Sequence, residues 1–131
     1  MTPGPVDYRA RYMDDCWTHE ASVLTGRPQL DGVRMLWCQE FYDGPLDGLA
    51  EWRGGEHWYV AVGPVWAERP RRYALHQLTP AQAAAAWQRH HLLDGYQRAA
   101  QAGADVAEQW DRAWAERPDH RGAPILGWFT D

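Results

Sequence analysis

Aromatic rings, tryptophan above all, have to build the interior of this chain. Its 131 residues include nine Trp and six Tyr, against only twenty Ile, Leu, Val and Phe combined. So few aliphatic side chains would by themselves suggest disorder. Each aromatic ring, however, buries far more area than a Val, and the chain as a whole is 45% hydrophobic. One domain of this length hides roughly two-thirds of the surface its unfolded chain exposes. No apolar run approaches the roughly 18 residues of a membrane span, so no membrane partner is expected.

Charge narrows the choice of partner. The formal net charge is −5, and every basic side chain is Arg. A net negative field repels phosphate, which argues against nucleic acid as a partner. One Ile, nineteen Ala and no Lys are the residue usage of GC-rich coding, pointing to a bacterium or its phage. Cys16 and Cys38 are too few for a disulfide framework, and the start of the chain lacks the basic-then-apolar pattern of a signal peptide. A cytoplasmic protein with reduced thiols is expected.

Along the chain, residues 1–6 are rich in Pro and Gly and are expected to be flexible. Ala10, Met13, Trp17, Ala21 and Leu24 recur at steps of three and four, which predicts a helix over 7–25 ending at Gly26-Arg27-Pro28. A two-residue alternation then predicts a strand over 33–42, with Val33, Met35, Trp37 and Phe41 on one parity. Both parities carry apolar residues, so the buried face is left open. Asp43-Gly44-Pro45 and Asp47-Gly48 read as turn residues, and Gly54-Gly55 as a hairpin turn whose two positions accept positive φ. Strands over 48–53, 56–62 and 71–78 follow. Thr79-Pro80-Ala81-Gln82 is a capping box with Pro at the first helical position, opening a helix from 80 to about 102. Asp105 to Glu108 reads as a second capping box, opening a helix closed by Pro118. WAERP occurs at 66–70 and again at 114–118, but with unlike flanks, so it is not an internal repeat.

These elements predict one α+β domain over 1–131. A four-stranded antiparallel meander is expected, with an N-terminal helix, two C-terminal helices packed on one face, and a loosely docked tail over 119–131. On a helical wheel of the long helix, Ala81, Ala85, Leu92, Leu93, Tyr96, Ala99 and Ala100 form the natural core face. Trp87, His91, Asp94 and Arg98 form a stripe opposite, at steps of four, three and four. That stripe is either a contact for a partner or the rim of ordinary core under a neighbouring helix. The loop after the third strand concentrates Trp66, Arg69, Arg71, Arg72 and Tyr73, a second candidate contact.

Motifs for chemistry are few. Cys16, His19 and Glu20 form one half-knuckle, to which Cys38, His57, His76, His90 or His91 would have to add ligands. No second pair has zinc spacing, so neither a metal nor a cofactor is expected. No G-x-S-x-G, HExxH, P-loop or G-x-G-x-x-G occurs, which leans away from an enzyme and leaves no catalytic residue to nominate. The leading expectation is a small interaction module, of adaptor, inhibitor or immunity type. It would bind a protein partner, or a second copy of itself, through surplus Trp and Arg. The first alternative is a small-molecule-binding protein or enzyme with a pocket between helix and sheet, using His57, His76 and His91 with or without a metal. The second is binding of nucleotide or single-stranded nucleic acid through the Arg-rich loop.

Overall fold

A computed structural model describes residues 18–41, 43–63 and 70–131. It is an α+β arrangement in which five strands, not four, form one antiparallel sheet in sequence order: β1 (Arg34–Phe41), β2 (Pro45–Trp52), β3 (Gly55–Val62), β4 (Arg72–His76) and β5 (Ile125–Thr130). Two helices, α1 (Pro80–Gln101) and α2 (Ala107–Ala115), lie in sequence between β4 and β5. The tail expected to dock loosely is thus the fifth strand. It pairs with β4 from Arg72–Thr130 to His76–Ile125, and Phe129 is 4% exposed.

The sheet is rolled. Gln29 bridges Trp128 of β5 in parallel, with Leu30 N–H donating to Trp128 O at 2.7 Å and Trp128 N–H to Pro28 O at 3.0 Å. That segment therefore lies beyond β5, which would put it about 24 Å from β1 in a flat sheet. Yet β1 begins four residues after Leu30, a reach of at most about 14 Å. The strands must curl until the two edges approach. On the inner face, Leu46, Tyr59, Tyr73, Leu75 and Phe129 are buried together. Tyr73 stacks on Phe129 with centroids 5.3 Å apart and meets Tyr59 edge-on at 5.4 Å.

Glycine makes one of these contacts feasible. Tyr59 of β3 reaches across β2 to donate its hydroxyl to Trp37 O of β1 at 3.0 Å. It passes over Gly48, where a Cβ would collide with that carbonyl and with the hydroxyl itself. Asp47-Gly48, expected as a turn, is therefore mid-strand. The hairpin turn is likewise one residue earlier than expected, at Arg53 (φ +50°) and Gly54 (φ +79°). Both φ values are positive, as a two-residue hairpin requires.

Register shifts in β1, between Met35 and Trp37 and between Cys38 and Glu40, resolve its double parity. A bulge adds a residue and reverses the alternation. Met35 and Cys38 thus both pack on the inner cluster, whereas Leu36 and Trp37 pack on the outer one with Leu49, Trp58, Val60 and Ala86. Val33 and Trp37 consequently do not share a face.

The expected N-terminal helix is not found over 18–25, and residues 7–17 lie outside the described residues. His19 instead bridges Val62, its N–H donating to Ala61 O at 2.9 Å and its carbonyl accepting from Gly63 N–H at 2.8 Å. Only a 3₁₀ turn, Ala21–Leu24, follows. Free backbone groups at the end of β3 outweigh the weak helical preference of Thr18, Ser22 and Val23. No described helix is long and apolar enough to cross a membrane.

Candidate functional site between the helices and the sheet

The capping box at the start of α1 is present: Gln82 N–H donates to Thr79 Oγ1 at 3.1 Å, and Thr79 N–H to Gln82 Oε1 at 2.8 Å. The second expected box does not form, because α2 begins at Ala107 after Val106, which makes no side-chain cap. The face that α1 turns inward also differs from the expected one. Ala83 and Ala86 are buried and His90 and Leu93 half-buried, whereas Ala81, Ala85 and Leu92 are exposed. Alanine on every side of this helix leaves little apolar asymmetry, so the sheet and its aromatic side chains decide the rotation.

That rotation carries Arg89, His90, Leu93 and Asp94 to the wall of a cavity of about 130 Å³. The sheet contributes Trp37 and Cys38 from β1 and Trp58 from β3, while Trp110 and Trp114 come from α2 and His120 from the segment after it. The wall is a set of flat rings. Trp37 stacks on His90 with centroids 4.2 Å apart and planes 9° from parallel, and meets Trp58 edge-on at 5.6 Å. Trp58 lies 5.0 Å from His120. The Trp110 and Trp114 planes are parallel to within 3°, and the Arg117 guanidinium sits 4.6 Å over Trp114.

Three buried donors of these residues have no hydrogen-bond partner among the described residues: Trp37 Nε1, and Nε and Nη2 of Arg89. Each unmet donor costs about 1–3 kcal/mol, and more when it is charged. Burial and then the nearby Arg117 charge lower the Arg89 pKa, with Glu116 opposing, but a guanidinium remains a cation in proteins. His90 is lowered first by burial and then by His91, with Asp94 opposing. His120 is lowered by burial and His76, with Asp119 opposing. Burial, reinforced by the Asp47 charge, raises Cys38, leaving a protonated thiol rather than a nucleophile.

Behind Cys38 and Gln39 lies a buried carboxyl. Asp47 is 3% exposed and accepts from Glu40 N–H at 3.1 Å and Gln39 Nε2 at 3.2 Å. Burial and then the Glu40 charge push its pKa up to about 7, against the Glu40 backbone bond, Arg117 and Gln39. Arg117 in turn pairs with Glu40 at 3.6 Å.

The residues nominated from sequence are dispersed. Trp87 is half-buried and donates Nε1–H to Glu56 at 2.7 Å, while exposed His91 stacks on its ring at 5.7 Å. Arg98 pairs with Asp94 at 3.0 Å, and only Asp94 of that stripe lines the cavity. Trp66 and Arg69 lie outside the described residues. Arg71 and Tyr73 turn inward and are buried. Arg71 Nη1 and the Tyr73 hydroxyl both donate to Pro45 O, at 3.1 and 2.8 Å. Arg72 is exposed, 6.0 Å from the Trp128 ring.

None of the three histidines proposed for a pocket lines the cavity. His57 Nδ1 accepts from Leu78 N–H, His76 is buried against His19, and His91 faces solvent. Among the described residues, no three His, Cys, Asp or Glu side chains converge as a metal would require. Arg89 and His120 carry no sequence signal for the site, because only the folded path of the chain brings them to Trp37 and Trp58. Compared with known protein families, curated proteins and solved structures, the chain matches none.

Proposed function

We propose that this protein binds a small organic molecule in the cavity between α1, α2 and the sheet. One observation carries the reading: four indoles, Trp37, Trp58, Trp110 and Trp114, wall a cavity of about 130 Å³ into which Arg89, His90 and His120 also bring polar side chains. An apolar, ring-lined concavity with a few convergent polar groups is the usual form of a ligand site. The partner-protein reading has less support. All seven described Trp are buried or half-buried, and Phe41 and Leu92 are the large hydrophobic side chains left exposed among the described residues.

A screen of monocyclic compounds, followed by NMR of the indole N–H signals, tests the proposal. Binding here moves Trp37, Trp58, Trp110 and Trp114 together and leaves Trp52 and Trp128 in place. Those two indoles donate to the backbone at Asp31 and Arg27, away from the cavity. A screen that moves none of the four, or only the last two, overturns the proposal.

A further inference from the structure

We propose that the ligand is an uncharged single aromatic ring carrying a hydroxyl, its ring held among the indoles and its hydroxyl met by His90 and His120. This rests on the cavity reading above and adds the chemistry of the ligand. Charge is the first selector. Arg89 and Asp94 bring opposite charges to the same wall. Asp94 is paired with Arg98 at 3.0 Å, and Nε and Nη2 of Arg89 are sealed from solvent. A carboxylate ligand would meet Asp94, an ammonium would meet Arg89, and either would shed its water without a full counter-charge. A neutral molecule avoids both costs.

Two imidazoles on the wall keep their polar atoms open. Unlike the Trp37 and Arg89 donors, the ring nitrogens of His90 and His120 are not sealed, and they make no hydrogen bond among the described residues. Burial keeps both rings neutral, so each holds one donor and one acceptor. A hydroxyl, which itself donates and accepts, matches either nitrogen, whereas an ether or a carbonyl can only accept. Size and shape select the rest. An apolar cavity of about 150 Å³ accommodates benzene, so about 130 Å³ suits one six-membered ring rather than a fused skeleton. Walls of indole rings favour a flat occupant, stacked or edge-on. Trp110, Trp114 and Asp94 are half-buried and Gln97 is exposed, which gives the ligand a way in.

The experiment titrates the full chain at about pH 7.5 with phenol, toluene, benzoate, benzylamine and cyclohexanol, by calorimetry and NMR. Phenol, with a pKa of about 10 like the tyrosine side chain, is then neutral, whereas benzoate is an anion and benzylamine a cation. Phenol should bind at least about tenfold more tightly than either charged ring, and about fivefold more tightly than cyclohexanol, which is of like size but not flat. On the wild type, phenol and not toluene should shift the ring-nitrogen signals of His90 and His120. In His90→Phe/His120→Phe the ratio of phenol to toluene affinity should fall about fivefold, and His90→Gln/His120→Gln, which keeps donors and acceptors, should preserve it. A charged ring that binds as well as phenol would overturn the uncharged ligand, and cyclohexanol binding equally would overturn the flat one. Unmoved imidazole signals, an unchanged ratio in the Phe pair, or an equal fall in the Gln pair would overturn the hydroxyl contact. The imidazole signals decide that contact even where the Phe pair does not fold. Each of these results leaves the cavity reading intact. Failure of phenol and toluene alike to move the Trp37 and Trp58 indole signals would remove that reading, and this inference with it.

Discussion

Acid should weaken this protein through one imidazole pair, His19 and His76, whose Nε2 atoms are 2.8 Å apart. His76 Nδ1 lies 2.8 Å from Ala123 O, so the hydrogen-bond network assigns its proton to Nδ1 and leaves Nε2 as an acceptor. His19 must then donate from Nε2. A proton added to the acceptor nitrogen of His76 would set two N–H groups head to head. Burial, then the His76 and Arg121 charges, lower His19 from 6.5 to about 4, with Asp119 opposing. Burial and Arg121 lower His76, against the Ala123 bond and Asp119.

Both folded pKa values lie below the unfolded value, so the unfolded chain binds more protons as pH falls from 6.5 toward about 4. Stability is therefore present above that window and lost through it. For His19 the ceiling is roughly 3 kcal/mol, at about 1.36 kcal/mol per pH unit. Because His19 is only half-buried, solvent screening reduces this to about 1–2 kcal/mol. His19→Gln keeps an N–H for His76 but does not titrate. Urea unfolding of both proteins at about pH 7.5 and about pH 4.5 isolates the effect, since the other histidines and Asp47 titrate in both. The wild type should lose about 1–2 kcal/mol more than the variant on acidification. Equal losses would refute the assignment of the proton and of the buried pair.

Three further outcomes are expected. Phe129→Ala should lower stability in guanidinium by about 3–5 kcal/mol, because the ring is buried against Tyr73 and Tyr59; a loss below about 1 kcal/mol would detach β5 from the core. Thr79→Ala should cost about 1 kcal/mol in thermal melts and Thr79→Ser very little, since either hydroxyl accepts from Gln82 N–H; an equal loss from both would deny the cap its role. Asp47 has the opposite sign from His19: its folded pKa is raised from 3.8 to about 7, so its contribution is full in acid and is lost across that window as pH rises. Asp47→Asn should therefore gain on the wild type between about pH 5 and about pH 7.5 in urea melts, and parallel curves would rule out the buried, reluctant carboxylate.

Strands and the long helix were legible because their signals are local. The alternation over 33–42 corresponds to β1 at Arg34–Phe41, and the Thr79-Pro80 cap to the start of α1. The fifth strand was hidden because Ile125-Leu126-Gly127-Trp128 does not alternate cleanly, and its pairing with β4 spans two intervening helices. The cavity was hidden for a related reason. Arg89 and His90 look like the polar side of a helix whose core face should be elsewhere, yet that side is the one turned to Trp37 and Trp58.

Local chemistry written in the chain determined where strands and helices begin, through two-residue alternation, positive-φ turn residues and a capping hydroxyl. It also determined that aromatic rings would fill the interior. Tertiary structure alone decided which face of β1 and α1 turned inward, because a bulge reverses parity and an alanine-rich helix has little apolar asymmetry of its own. It alone brought Arg89 and His90 of α1 to the four indoles of β1, β3 and α2, since burial and pairing depend on neighbours distant in sequence.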